Sequence, residues 1–264
     1  MIVLQDLTKY FNPGSINEVL ALSGIDLEIR KGDFITIIGS NGAGKSTLLH
    51  CLAGTYMQDS GRLLLDGNDI SAWPEHRRAR FIGRVFQNPL SGTCASMSIE
   101  QNLALAFKRG SRRGLRIGVQ AGLRTRFREK LKKLGLGLED RLKSSVGLLS
   151  GGQRQALTML MATLVEPDLL LLDEHTAALD PKTANQILDL TRRIVETQHL
   201  TTLMVTHNMN QALELGNRLV MLHRGRIILD IGGEEKAKLN KESLLRKFYE
   251  SQGEEFSSDR VLLA

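Results

Sequence analysis

The sequence predicts an α/β fold, and three observations carry that prediction. An apolar, β-branched run, Phe34 to Ile38, leads into the glycine-rich string Gly39 to Thr47 (GSNGAGKST), after which Leu48-Leu49 continues a helix. A second run, Leu169 to Leu172, is continuously apolar, as a strand buried on both faces requires. Between them, from residue 88 to about Val146, the pattern is helical and polar. Strand, glycine-rich turn and helix is the context that lets G-x-x-x-x-G-K-[ST] cradle phosphate, and Gly39, Gly44, Lys45 and Ser46 meet that pattern.

Each element has its own signal. Two short strands, Ile2 to Leu4 and Ile25 to Ile29, flank a turn at Asn12-Pro13-Gly14-Ser15. Lys31-Gly32-Asp33 turns the chain into Phe34–Ile38. Leu63 to Leu65, followed by Asp66-Gly67, belongs to an antiparallel hairpin layer. Phe81 to Phe86 is a strand ending at Gln87-Asn88-Pro89, and Ser98 with Gln101 forms a capping box for a helix carrying Ile99, Leu103 and Phe107. Further on, Asp180-Pro181 supplies an N-cap and an N1 proline for a helix with Ile187, Leu190 and Ile194 on one side. Thr202 to Thr206 is a strand, and Asn208 caps the next helix. Leu219–Leu222 and Ile227–Leu229 form a hairpin across Arg224-Gly225, and the tail from Asn240 sets Leu244, Leu245, Phe248 and Tyr249 at helical spacing, facing a core. The expected fold is α/β: a P-loop NTPase core with an antiparallel β subdomain (1–87 and 147–264) and an inserted α-helical subdomain (88–146), together one domain over 1–264.

Composition narrows the class. A chain of 264 residues, 42% hydrophobic, supports a large core. No apolar stretch approaches the ~18 residues that span a bilayer, and MIVLQDLTKY lacks the basic start and apolar segment of a secretory signal. Cys51 and Cys94 have no ligand-like spacing, which argues against a zinc site or a disulfide framework. An intracellular protein, soluble by itself, is expected. The net charge of +6 is local: Lys108 to Lys133 carries Arg109, Arg112, Arg113, Arg116, Arg124, Arg126, Arg128, Lys130 and Lys132 against one acid, Glu129. Three readings stay open for that run: a solvated face, apposition to anionic lipid headgroups, or nucleic acid.

In the glycine-rich loop, Gly42 and Gly44 let the backbone curl so that successive N–H groups face an anion. Ser40, Asn41, Ala43 and Thr47 complete the cradle, and the helix start adds its unpaired donors and dipole. Lys45 is the point charge along the β- and γ-phosphates, and the Ser46 hydroxyl is a Mg²⁺ ligand. A second anion site comes from Ser150, Gly151 and Gly152 ahead of a helix beginning near Gln153.

LSGGQ at Leu149–Gln153, the phosphate loop and LLLLDE at Leu169–Glu174 stand in one order with a leading aromatic, a lone glutamine, Ala178-Leu179-Asp180 and a histidine. With these motifs the chain resembles the ATP-binding-cassette (ABC) ATPases over essentially its full length. The resemblance implies that two ATP molecules lie between two copies in a head-to-tail dimer, where Ser150, Gly151, Gly152 and Gln153 of one copy face the phosphate held by Lys45 of the other. Asp173, ending a buried strand, would hold Mg²⁺ through water near Ser46. Glu174 would take a proton from the attacking water. Gln87 would sense Mg²⁺ and that water, His207 would contact the γ-phosphate, and Asp180 would communicate across the dimer. Tyr10 and Phe11 are both available to stack on adenine; spacing favours Phe11, and core packing is open to either ring. Two departures from the family pattern are His175, where proline is frequent, and Met161, where arginine is usual.

What such a cassette does follows from its lack of membrane spans. The resemblance implies the stand-alone ATPase subunit of a bacterial ABC transporter, at the cytoplasmic face of the plasma membrane. It would act with a separate permease and, through that permease, an extracytoplasmic solute-binding protein. Import of a small, amino-acid-like solute is expected, because exporter cassettes are often fused to their membrane domain. FNPGSINEVLALSGIDL and DEHTAALDP also resemble cassettes associated with binding proteins for such solutes. The alternative is a soluble ABC ATPase acting on nucleic acid or ribosomes, or an assembly factor such as an iron–sulfur scaffold ATPase. The interval from Lys45 to Ser150 is too short for the coiled coil of the first, so no nucleic acid is expected.

Overall fold

The computed structural model describes residues 1–111 and 118–252; Arg112, Arg113 and Arg116 of the basic run lie outside the described residues. In chain order the elements are β1 (Ile2–Phe11), β2 (Val19–Ile29), β3 (Phe34–Ile38), α1 (Lys45–Ala53), β4 (Ser60–Leu65), β5 (Asn68–Asp69), α2 (Glu75–Arg78), β6 (Ile82–Val85), α3 (Ile99–Phe107), α4 (Ala121–Lys132), α5 (Gly151–Thr163), β7 (Leu169–Asp173), α6 (Pro181–Gln198), β8 (Thr202–Val205), α7 (Met209–Glu214), β9 (Arg218–His223), β10 (Arg226–Gly232), α8 (Gly233–Ala237) and α9 (Lys241–Gln252). They divide into two units, one made of Met1–Arg78 with the chain from Thr201 onward, the other of Ala79–Leu200.

The first unit holds an antiparallel sheet, β2-β1-β4-β5. It also holds the set β10-β9-β3-β8, in which β3 runs parallel to both β8 and β9. All five residues of β3 are buried, which is why four are apolar without alternation, and the fifth, Thr36, donates its hydroxyl to the Ala212 carbonyl at 2.9 Å. Leu244 and Phe248 of α9 pack into a cluster with Ile38, Ala212, Leu219 and Met221, so the tail stripe is core, as its spacing predicts. Arg78 is fully buried beneath α1. Its guanidinium donates to the Cys51, Leu52, Ser71 and Trp73 carbonyls at 2.6–3.2 Å. The first two lie in the last turn of α1, where a helix leaves its acceptors short of partners, and that of Cys51 also accepts from Gly54 N–H.

The second unit pairs β6 with β7 in parallel, Ile82 opposite Leu169 through Val85 opposite Leu172. Around them α3, α4, α5 and α6 share an apolar cluster that includes Leu103, Phe127, Leu131, Leu157 and Ile187. Met161 packs against this cluster, filling with a hydrophobe the position where the family usually has arginine. The capping box at Ser98 and Gln101 is formed in both directions.

Several expected boundaries shift. The strand expected at Ile2–Leu4 runs on to Phe11 and the one at Ile25–Ile29 begins at Val19, because bulged antiparallel pairing carries polar residues along with it. Phe81–Phe86 contracts to Ile82–Val85, and Thr206 falls just past β8. The helix expected near Gln153 starts at Gly151, because Ser150 is its N-cap.

Candidate functional site

In the first unit, β3 delivers the chain into Gly39 and the loop ends in α1. Gly42 and Gly44 have φ of 77° and 99°, left-handed values at alternate positions, the backbone pattern of an anion nest. The glycines answer different demands. A Cβ at Gly39 would sit 2.1 Å from the Leu222 carbonyl oxygen and one at Gly44 2.5 Å from that of Ala21, whereas at Gly42 it would meet nothing within 4 Å. Backbone bonds fix the outer side of the loop: Gly225 N–H donates to Ala43 and Ser23 N–H donates to Gly225. Lys45 is buried, and its ammonium donates to the Gly39 and Ser40 carbonyls at 2.7 and 2.9 Å. The cation is thereby held over the loop whose anion it would neutralise. Ser40 is half-buried, as is Thr47, while Asn41 and the Ser46 hydroxyl in the first turn of α1 are exposed.

Phe11 ends β1 and meets Tyr56 edge-on, with ring centroids 5.3 Å apart; Tyr56 in turn meets His50 edge-on at 4.8 Å. Tyr10 pairs with Leu20 and Phe11 with Val19. Adjacent strand residues face opposite sides, so the two rings serve different faces of the sheet. Tyr56 was invisible as a partner in the sequence, since only the folded return of β1 brings it to Phe11. His207 is exposed, two residues past β8 and just before Asn208, which caps α7 by accepting from Asn210 and Gln211.

In the second unit, Asp173 closes β7, and its carboxylate lies 3.4 Å from Arg84 on the neighbouring β6. Arg84 also stacks over Phe86, 4.6 Å from the ring centre. Glu174 follows with φ of 43°, a left-handed conformation that costs a non-glycine residue about 1–2 kcal/mol. This change of direction points Asp173 and Glu174 differently, and Glu174 accepts from the Gln87 side-chain amide at 3.2 Å. His175 is buried and hydrogen-bonded through Nε2 to Thr191 Oγ1 at 3.0 Å. The Thr191 hydroxyl donates to the Ile187 carbonyl, so His175 is the donor to it. Burial pushes the His175 imidazole down to about 4.

Ser150 caps α5: its Oγ accepts from Gln153 N–H, and Gln153 Oε1 accepts from Ser150 N–H, both at 3.2 Å. A Cβ at Gly152 would lie 2.3 Å from Thr183 Cγ2, and one at Gly151 3.2 Å from Leu179 Cδ2. The signature glycines are therefore packed against the start of α6. There Asp180 is the N-cap, accepting from Thr183 N–H at 3.0 Å; hydrogen bonding from Thr183 holds its carboxyl below the usual range. The structure thus brings together Gln87 with Glu174, and Gly151 and Gly152 with the segment that Asp180 caps.

Ser46 in the first unit is exposed and Asp173 in the second is nearly buried, and each offers the kind of hard oxygen of which Mg²⁺ takes one or two, completing its shell with phosphate and water.

A phosphate loop after a buried strand, with an acidic strand end beside a glutamine, defines a P-loop nucleotide-binding protein. The chain belongs to the ABC transporter family, whose model matches residues 22–177. It is 44% identical over 250 residues to a tyrosine transport ATP-binding protein of Clostridioides difficile, covering 94% of this chain and 98% of that one. It is 40% identical over 230 residues to the sulfate/thiosulfate import ATP-binding protein CysA of Methylococcus capsulatus, covering 86% of this chain and 61% of that protein. Among solved structures, the ATP-binding cassette MJ0796, a dimer in a post-hydrolysis state with ADP and Pi, superposes with a TM-score of 0.75 at 28% identity, covering 88% of this chain and 98% of that one.

Proposed function

We propose that this chain is the ATP-hydrolysing subunit of a bacterial ABC importer of a small, amino-acid-like solute. The near full-length likeness to a tyrosine transport ATP-binding protein carries the reading. No helix among the described residues is long and apolar enough to cross a membrane, so the translocation path belongs to a permease, with a solute-binding protein acting through it. The chain works at the cytoplasmic face of the membrane, with 88–146 as the helical subdomain that receives the permease.

The catalytic reading follows from the side chains. The loop from Gly39 to Thr47 binds the phosphates through backbone N–H groups, and Lys45 exchanges its carbonyl partners for phosphate oxygens. Ser46, and Asp173 through water, would hold Mg²⁺, which would neutralise phosphate charge. Glu174 accepts the proton of the attacking water while Gln87 holds its carboxylate in place. Phe11 stacks on the base, and His207 contacts the γ-phosphate. Ser150 to Gln153 and Asp180 act on the nucleotide of a second copy, a reading supported by the dimeric state of the MJ0796 cassette.

Affinity purification of the tagged chain from gently solubilised native membranes, with mass spectrometry, tests the proposal. A stoichiometric many-spanning membrane protein is expected. Recovery only in the soluble fraction, with ribosomal or scaffold partners, overturns it.

A further inference from the structure

In the second unit a groove of about 1020 Å³ opens between α4 and the C-terminal halves of α5 and α6. Its floor is apolar, with Leu134, Leu160, Leu164 and Leu190 rising from the helical cluster and Ile194 beside them. Its rim is basic. Arg126, Lys130 and Lys133 follow one another at spacings of four and three along α4 and its C-cap, which puts them on one face. Arg193 of α6 stands opposite and donates to the Lys133 carbonyl at 3.1 Å. Glu166 is the single acid among the described residues lining the groove.

This arrangement resolves part of the basic run that the sequence left open. Some of its cations are structural. Arg109 donates to the Ala162 and Val165 carbonyls at the end of α5, and Arg124 makes a two-point pair with Glu100 of α3. Arg126 lies over Phe107, 4.9 Å from the ring centre. Lys130 and Lys133 edge a trough that no residue of the phosphate loop, the acidic strand end or the signature lines.

The volume stands at the upper end of the ~300–1,000 Å³ typical of ligand pockets. A recessed apolar floor accepts one chain rather than the flat surface of a bilayer, and the cationic rim selects a negative head. We propose that this groove binds a medium-chain fatty carboxylate. Its chain lies along Leu160, Leu164, Leu190 and Ile194, and its carboxylate sits against Lys130, Lys133 and Arg193. The site is separate from the nucleotide machinery and does not rest on the transport reading.

Calorimetric titration of the full chain with dodecanoate, below its micelle concentration, tests this. Saturable one-to-one binding is expected. It should weaken roughly tenfold or more in the double variant Lys130→Glu/Lys133→Glu and disappear in Ile194→Trp, which fills the trough. Neutral dodecanol should bind more weakly than the carboxylate. ATP binding, measured on the same samples, should be unchanged in both variants, which separates loss of the groove from loss of the fold. The proposal is overturned by absence of saturable binding with ATP binding intact, or by affinity that neither variant alters. Binding only to vesicles containing phosphatidylglycerol, with none to free dodecanoate, equally overturns it.

Discussion

Gln87 donates its side-chain amide to the Glu174 carboxylate at 3.2 Å, joining the second residue past β6 to the residue that follows β7. Glu174 holds a positive φ there, so its carboxylate is aimed by a turn that the backbone does not prefer and steadied by an amide donor. A carboxylate held this way depends on its partner for orientation, and in the proposed role of base that orientation sets the rate.

Gln87→Ala should therefore lower kcat about tenfold while ATP affinity stays within about twofold. Steady-state hydrolysis and nucleotide titration on the same preparation check it. An unchanged kcat would mean that the amide does not hold the base in the working state.

The loop glycines should differ in cost. Gly39→Ala forces a Cβ to 2.1 Å from the Leu222 carbonyl and should destabilise by about 3 kcal/mol or more. Gly42→Ala has open space but φ of 77° and should cost only about 1–2 kcal/mol. Urea unfolding midpoints at constant slope give the comparison; equal losses would contradict it.

His175 makes stability depend on pH. Its folded value of about 4 lies below the ordinary 6.5, so the unfolded chain takes up a proton that the folded chain refuses. The contribution is complete above about pH 6.5 and is lost as pH falls toward 4, by up to about 3 kcal/mol. His175→Gln should flatten the unfolding free energy over that window. A slope unchanged in the variant would assign it to other groups.

Arg78→Met should destabilise by about 3 kcal/mol, since it removes the hydrogen bonds that the buried guanidinium makes to the Cys51, Leu52, Ser71 and Trp73 carbonyls. Arg78→Lys should recover part of the loss. ATP affinity should fall with Arg78→Met, because α1 carries Lys45 and Ser46. Denaturation paired with nucleotide titration reads both.

Much of this was legible in the chain itself. Phe34–Ile38 is the strand expected, because full burial selects aromatic and β-branched residues at every position, and the caps at Ser98 and Asp180 are local hydrogen bonds written in neighbouring residues. The ends of β1 and β2 were not, because bulged pairing extends a strand through residues whose own pattern is polar. In the candidate site, Gly39, Gly44, Lys45 and Ser46 are marked by the motif. The pairing of Arg84 with Asp173, of Tyr56 with Phe11, and the strained φ of Glu174 arise from chain segments that meet only after folding. Tyrosine and arginine at those positions carry no local signal for it.

The central claim is tested most directly by Glu174→Gln in the presence of Mg²⁺ and ATP, with oligomeric state followed by light scattering and phosphate release followed in parallel. The account predicts a stable ATP-dependent dimer with hydrolysis reduced by roughly a hundredfold or more. Turnover at the wild-type rate, or a chain that stays monomeric with ATP bound, would contradict it.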